Sequence, residues 1–268
     1  MVPTDIGRLF VQRARDVVQL TLEIDRELFS NRTLQSGRLR VGAGPFPGQT
    51  VVAAAAADFA RSFPRVTLVL EVGNWDELLV RLRSRELDMF IAEASTLGNE
   101  PDLEVGLLSS HPVYFVARAG HPLATKPTVS ASDTFGWPFV APSRIPPRLL
   151  QPMLAAQRSN PDPEAAQRIF PSIECSAIGT VKRIVEGSDA ITGLTLSTVA
   201  DEIREGRIAL LGTEPWLTLS YGVVRLKGRT MSHAAEAFHG LLLEAERDAS
   251  ATETRLVEVL RRSRPVAS

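Results

Sequence analysis

Hydroxyl, guanidinium and Gly/Pro-turn residues recur in this sequence just after short apolar runs, where a parallel strand would end and a helix begin. Phe46, Pro47 and Gln49 follow the run at 38–42, and Glu93 follows 87–92. Ser143 and Arg144 follow 139–141, Ser176, Ile178 and Thr180 follow 172–175, and Thr195 follows 190–194. Free backbone N–H groups at a helix start, aided by the helix dipole, favour a carboxylate or phosphate. Arg144 could pair bidentately with a carboxylate. Glu93 could select an amine or hydroxyl group, or hold a ligand-binding arginine. Taken singly, each position also suits a cap, a turn or a solvated charge. Their recurrence at strand ends is what points to a cleft for a small anion or polar metabolite.

Catalytic patterns are weaker. Residues 42–50 superficially resemble a phosphate loop, but Gln49 stands where that loop needs lysine. Neither a Gly-x-Ser-x-Gly elbow nor a His-Glu-x-x-His pattern occurs. Of the four histidines, His111 and His121 precede prolines and read as turn residues, while His233 and His239 point to different faces of one helix. Cys175 is the sole cysteine, so the chain can form no internal disulfide or cysteine-rich metal site. Its place at the end of an apolar run reads as a buried structural thiol. The expectation is a binding protein without cofactor or metal, and not an enzyme.

Elements must hold those groups in place. Thr4 is a candidate N-cap for a helix over residues 5–32, on the order of 40 Å long. Ile6, Phe10, Val17, Leu20 and Ile24 fall on heptad spacing, interrupted by Arg13 and Glu27. Such a helix is too long and one-sided for a small lobe, and predicts a homodimer or homotetramer.

From residue 36 the texture alternates. Strands are predicted at 38–42, 66–72 and 87–92, with a turn at 44–48 and helices at 49–62 and 75–85. Two separate runs, 103–108 and 113–117, come next. A second alternation then places strands at 139–141, 172–175, 190–194, 207–211 and 217–225. Its helices are 147–157, 178–187, 198–205 and 232–248, before a frayed, charged tail from 250. Short connections between alternating strands and helices argue for an α/β fold with parallel sheets.

Composition sets the outer bounds. The chain has 268 residues, 44% hydrophobic and 23% charged, and a net charge of -1, so it carries no basic excess suited to nucleic acid. No run approaches the ~18 apolar residues of a membrane span. No export signal is visible, so the expected location is the cytoplasm, with no membrane partner.

Several stretches resemble the regulatory part of LysR-type transcriptional regulators. They are Gly37-Arg38-Leu39-Arg40-Val41-Gly42, the passage Phe59 to Leu68, the Leu79 to Ile91 segment, His121-Pro122-Leu123-Ala124 and Val185 to Leu194. The amphipathic first helix is similar to that family's dimerising linker helix. The resemblance implies two Rossmann-like lobes of periplasmic-binding-protein type II architecture, joined by crossover strands and preceded by the linker helix. It divides the chain into a linker at 1–35, lobe I at 36–112 plus 219–249, lobe II at 113–218 and a tail at 250–268. It also implies a small-molecule effector in the interlobe cleft. The family's winged helix-turn-helix would lie ahead of residue 1, so DNA is expected as a partner only through a reader absent from this chain. A solute-binding protein of a transport system and a two-lobed cleft enzyme remain as alternatives.

Overall fold

The computed structural model describes residues 4, 6–11, 13, 14, 17, 37–142 and 144–263, the last five by backbone alone. Leu20, Ile24 and Ser143 lie outside the described residues. Ile6, Phe10 and Val17 are helical and 80%, 73% and 64% exposed, a row of apolar side chains turned to solvent in the single chain.

The first lobe starts with β1 (Gly37–Ala43), a short helix α1 (Pro45–Gln49) and α2 (Val51–Ser62). There follow β2 (Val66–Val72), α3 (Trp75–Arg83) and β3 (Met89–Glu93). The expected turn at 44–48 is therefore a helix, because Pro45 presets φ at its first position. Thr50, at φ -119 and ψ -98, breaks it from α2, which begins at Val51 rather than Gln49. Arg85 at φ 60 carries the chain out of α3, so that helix stops short of the predicted end.

The second lobe holds α4 (Ala131–Thr134), β5 (Phe139–Ala141), α5 (Pro147–Arg158), α6 (Pro163–Gln167), β6 (Ile173–Glu174), α7 (Ile178–Glu186), β7 (Ile191–Thr195) and α8 (Leu196–Arg204). Two long strands, β4 (Leu103–Arg118) and β8 (Ile208–Leu226), run through both lobes. A single helix, α9 (His233–Ser263), completes the described chain.

Four shorter strands were expected where β4 and β8 stand. Pro112 and Pro215 lie within these strands, and the extended backbone that proline imposes on itself and its predecessor is compatible with a strand. Pro112 lies in a stretch of β4 flanked by register shifts, between Leu107/Ser110 and Pro112/Tyr114.

The strand order β2-β1-β3-β8-β4-β7-β5-β6 is hydrogen-bonded throughout, and the two shared strands exchange roles along it. In the first lobe β8 is internal: its Tyr221–Val224 stretch pairs with Glu93–Phe90 of β3 on one side and meets β4 on the other. In the second lobe β4 is internal, pairing through Val113–Val116 with β7 while β8 becomes the edge. β1 is parallel to β2 and β3, and β5 is parallel to β6 and β7. The carboxyl ends of β1, β3, β5 and β7 thus gather where the lobes meet.

The first-lobe half of the sheet is covered on both faces. In the first lobe α2 and α9 pack on one face, where Phe59 and Phe238 meet edge-on at 5.7 Å. On the other face Leu78, Leu79 and Leu82 of α3 bury against Leu87, Phe90 and Val224. Fully burying such a side chain contributes about 1.5–3 kcal/mol, so these faces hold that half of the sheet firmly.

Candidate functional site

The groups at the strand ends come together unevenly. Phe46 is half-buried and packs against the cluster that contains Val116 and Ile178 of the second lobe, while Pro47 is buried beneath it. A Cβ at Gly44 would stand 3.2 Å from Ala92 Cβ, so the entry to α1 lies close against β3. Ile178 is buried in the first turn of α7, so Phe46 brings α1 against the second lobe there. Gln49 and Thr180 are exposed, and Ser176 is half-buried just after β6.

Glu93 is held tightly. Its Oε2 accepts hydrogen bonds from Ser220 N at 2.7 Å and Arg148 Nη2 at 2.8 Å, and its Oε1 accepts from Ser95 N at 3.1 Å. Arg148, in the first turn of α5, also donates to Ser95 Oγ and to the Thr218 carbonyl, each at 2.8 Å. The guanidinium therefore ties the second lobe to the end of β3 and to the crossover strand. Arg144 forms a different contact, an ion pair of 3.1 Å with Asp76 at the start of α3. Its side chain is 64% exposed, which leaves that pair weak, worth about 0–1 kcal/mol. The sequence suggested a ligand-binding arginine beside Glu93 without identifying it, and read Arg144 as a partner for a ligand carboxylate. Arg148 was missed because it sits inside a helix start that reads as ordinary surface.

Thr195 is fully buried, and its Oγ1 pairs with Thr198 Oγ1 at 2.7 Å and Ser197 Oγ at 3.1 Å. Its hydroxyl is engaged by these two partners within the second lobe.

His111 corrects a further expectation. It lies in β4, buried, and not in a turn. Its Nδ1 pairs with Glu253 Oε2 and its Nε2 with Glu246 Oε1, both at 2.9 Å. The ring stacks on Tyr221 with centroids 4.7 Å apart. Burial opposes protonation, but the hydrogen bonds and charges of the two carboxylates outweigh it and raise the ring to about 9. The available signal was the acidic pair seven residues apart in α9, on the same face as Leu242 and Ala249. The helix also runs through Ser263 instead of fraying after Asp248. Cys175 is half-buried after β6, with its thiol 3.7 Å from the Ala177 carbonyl.

Among the described residues no group of three or more histidine, cysteine or acidic side chains is arranged to hold a metal, and no helix is long and apolar enough to cross a membrane.

Residues 32–247 match the family described as the LysR substrate binding domain. An SDS degradation transcriptional activation protein from a Pseudomonas species is 35% identical over 245 residues, which cover 90% of this chain and 77% of that relative. The HTH-type transcriptional regulator CbbR of Rhizobium meliloti is 26% identical over 265 residues, covering 91% and 75%. Among solved structures, a Corynebacterium glutamicum OxyR mutant superposes with a TM-score of 0.64 at 16% identity, covering 95% of this chain and 79% of that one. The Synechocystis CcmR regulatory domain in complex with 2-PG gives a TM-score of 0.63 at 20% identity, covering 79% and 98%.

Proposed function

The chain belongs to the LysR substrate-binding-domain family, and from that premise we propose that it senses a small carboxylate-bearing effector between its lobes for a LysR-type transcriptional regulator. Its fold is the mixed α/β, periplasmic-binding-protein type II architecture of that family. The observation that carries the reading is the meeting of charged groups from both lobes at the carboxyl ends of their strands. There Arg148 crosses to Glu93 and Arg144 to Asp76.

The two arginines divide the work. Glu93–Arg148 is largely buried and held by several hydrogen bonds, so it latches the lobes. The exposed Arg144–Asp76 pair exchanges readily, and a ligand carboxylate would take the place of Asp76 on Arg144. Phe46 and Ile178 supply an apolar wall for the rest of the ligand, with Ser143, Ser176 and Thr180 as candidate hydroxyl contacts. The relatives' names are those of transcriptional regulators, which supports a regulatory rather than catalytic or transport role in the cytoplasm. Output to DNA would pass through a helix-turn-helix. The helix bearing Ile6, Phe10 and Val17 would pair copies of the chain, with Leu20 and Ile24 continuing the heptad spacing in the sequence.

Thermal shift against carboxylates, amino acids and a short-chain alkyl sulfate tests the sensing role. A probe at 100 times its Kd should stabilise the chain by about 2.7 kcal/mol. Arg144→Gln should weaken that probe about tenfold, the equivalent of about 1.4 kcal/mol. No shift from any probe would remove the support for a carboxylate effector. For assembly, Val17→Glu combined with Leu20→Glu should convert an oligomer into a monomer by light scattering. A native chain that is already monomeric would overturn the pairing role of that helix.

A further inference from the structure

A dense set of buried polar groups lies behind the crossover strands, away from the cleft. Glu246 and Glu253 stand two helical turns apart, so one straight helix presents a carboxylate to each ring nitrogen of His111. Ser109 N donates to Glu246 Oε1 at 3.0 Å, so α9 grips β4 at two neighbouring points. Glu253 reaches further: its Oε1 accepts from Ser197 N at 3.2 Å and Ser197 Oγ at 2.6 Å, at the start of α8. The first half of α9 is packed on α2 of the first lobe through Phe238, so this one helix spans both lobes. His111 falls between the first two of the three register shifts of β4 against β8, on a strand shared by both lobes. Ser197 Oγ, finally, contacts Thr195 at the end of β7.

We propose that His111, Glu246, Glu253 and Ser197 are positioning residues that couple the interlobe angle to the C-terminal half of α9, so that closing of the cleft is transmitted to its last turns. The proposal rests on the reading of the cleft as an effector site. Glu246 Oε2 and Ser250 Oγ, on the same face of α9, are buried without a hydrogen-bond partner, so the cluster has spare capacity for a second pairing pattern when the strands shift. The charged groups facing His111 are Glu246 and Glu253 from α9. β8 contributes Tyr221, whose phenol burial keeps neutral, and α8 contributes the uncharged Ser197.

The test uses the whole chain without ligand. Spin labels at Val80→Cys and Ile169→Cys, which are 67% and 83% exposed in different lobes, would report the interlobe distance in a Cys175→Ser background. One narrow distribution is expected from pH 6 to 8, broadening as His111 loses its proton above about pH 9. Glu253→Gln should lower the pH midpoint of that broadening by about one unit or more, because one of the two carboxylates holding the proton is gone. A merely structural contact would leave the midpoint in place. Ser197→Ala keeps the histidine and both carboxylates and should widen the distribution at every pH; should Glu253→Gln fail to fold, it decides alone. Distances that are the same from pH 6 to 10, and unchanged in the folded variants, would overturn the proposal. A blank ligand panel with a responsive hinge would instead count against the effector and leave the coupling standing.

Discussion

Two buried histidines in this molecule titrate in opposite directions, and their partners explain why. His121 caps the turn at Pro122–Thr125 by accepting from Leu123 N through Nδ1, which requires a neutral ring, and burial lowers its pKa. His111 faces two carboxylates and is raised to about 9. For His111 the folded state holds its proton more tightly than the unfolded chain. Its stabilising effect is therefore complete below the unfolded value near 6.5 and is lost as pH rises through about 9. For His121 the unfolded chain binds the proton better, so stability falls as the solution is acidified below 6.5. Calorimetry should show the unfolding midpoint falling between pH 7 and 10, at about 2–4 °C per kcal/mol lost. His111→Gln should flatten that limb and leave the acid limb as it is. An unchanged alkaline limb would mean that the histidine is not the titrating group.

At the scale of elements, β8 carries the closest packing. Gly222 passes Ala94 and Val105 so closely that a Cβ would lie 2.6 Å and 3.2 Å from their side-chain carbons. Gly222→Ala should therefore destabilise the chain by about 1–3 kcal/mol in urea unfolding, through overpacking rather than backbone strain. A substitution without effect would show that β3 and β4 can part there at no cost. The periodicities of α2, α3 and α7 were legible because each buries one stripe against a sheet. The length of α9 was not legible. The buried face of its second half carries Glu246 and Glu253, and carboxylates read as a solvated tail until their partners on β4 and α8 are known.

In the molecule as a whole, charged groups fasten the crossover strands to both lobes, Arg148 and His111 among them. Arg148 bonds Glu93, Ser95 and the Thr218 carbonyl, while His111 joins β4 to α9. Arg148→Ala leaves the carboxylate of Glu93 without its cation, and a loss of about 2 kcal/mol is expected, within the range for charged hydrogen bonds. Small-angle scattering should also record a larger radius of gyration for this variant, because the guanidinium bridges the lobes directly. A variant as compact and as stable as the native chain would show that the bridge is incidental.

The sequence alone determined the alternation of strands and helices, the two-lobed α/β class and the gathering of polar groups at strand ends. The alternation and the polar strand ends follow from local periodicity and turn chemistry, and the two lobes from the resemblance to the LysR family. Which arginine meets Glu93, that His111 is a buried cation, and that β4 and β8 each cross both lobes were decided by tertiary structure. Pairing across 55 residues, as between Glu93 and Arg148, or 142, as between His111 and Glu253, leaves no periodic trace in the chain. Such contacts depend on which faces the crossover strands bring together, and that is set by the register between the lobes.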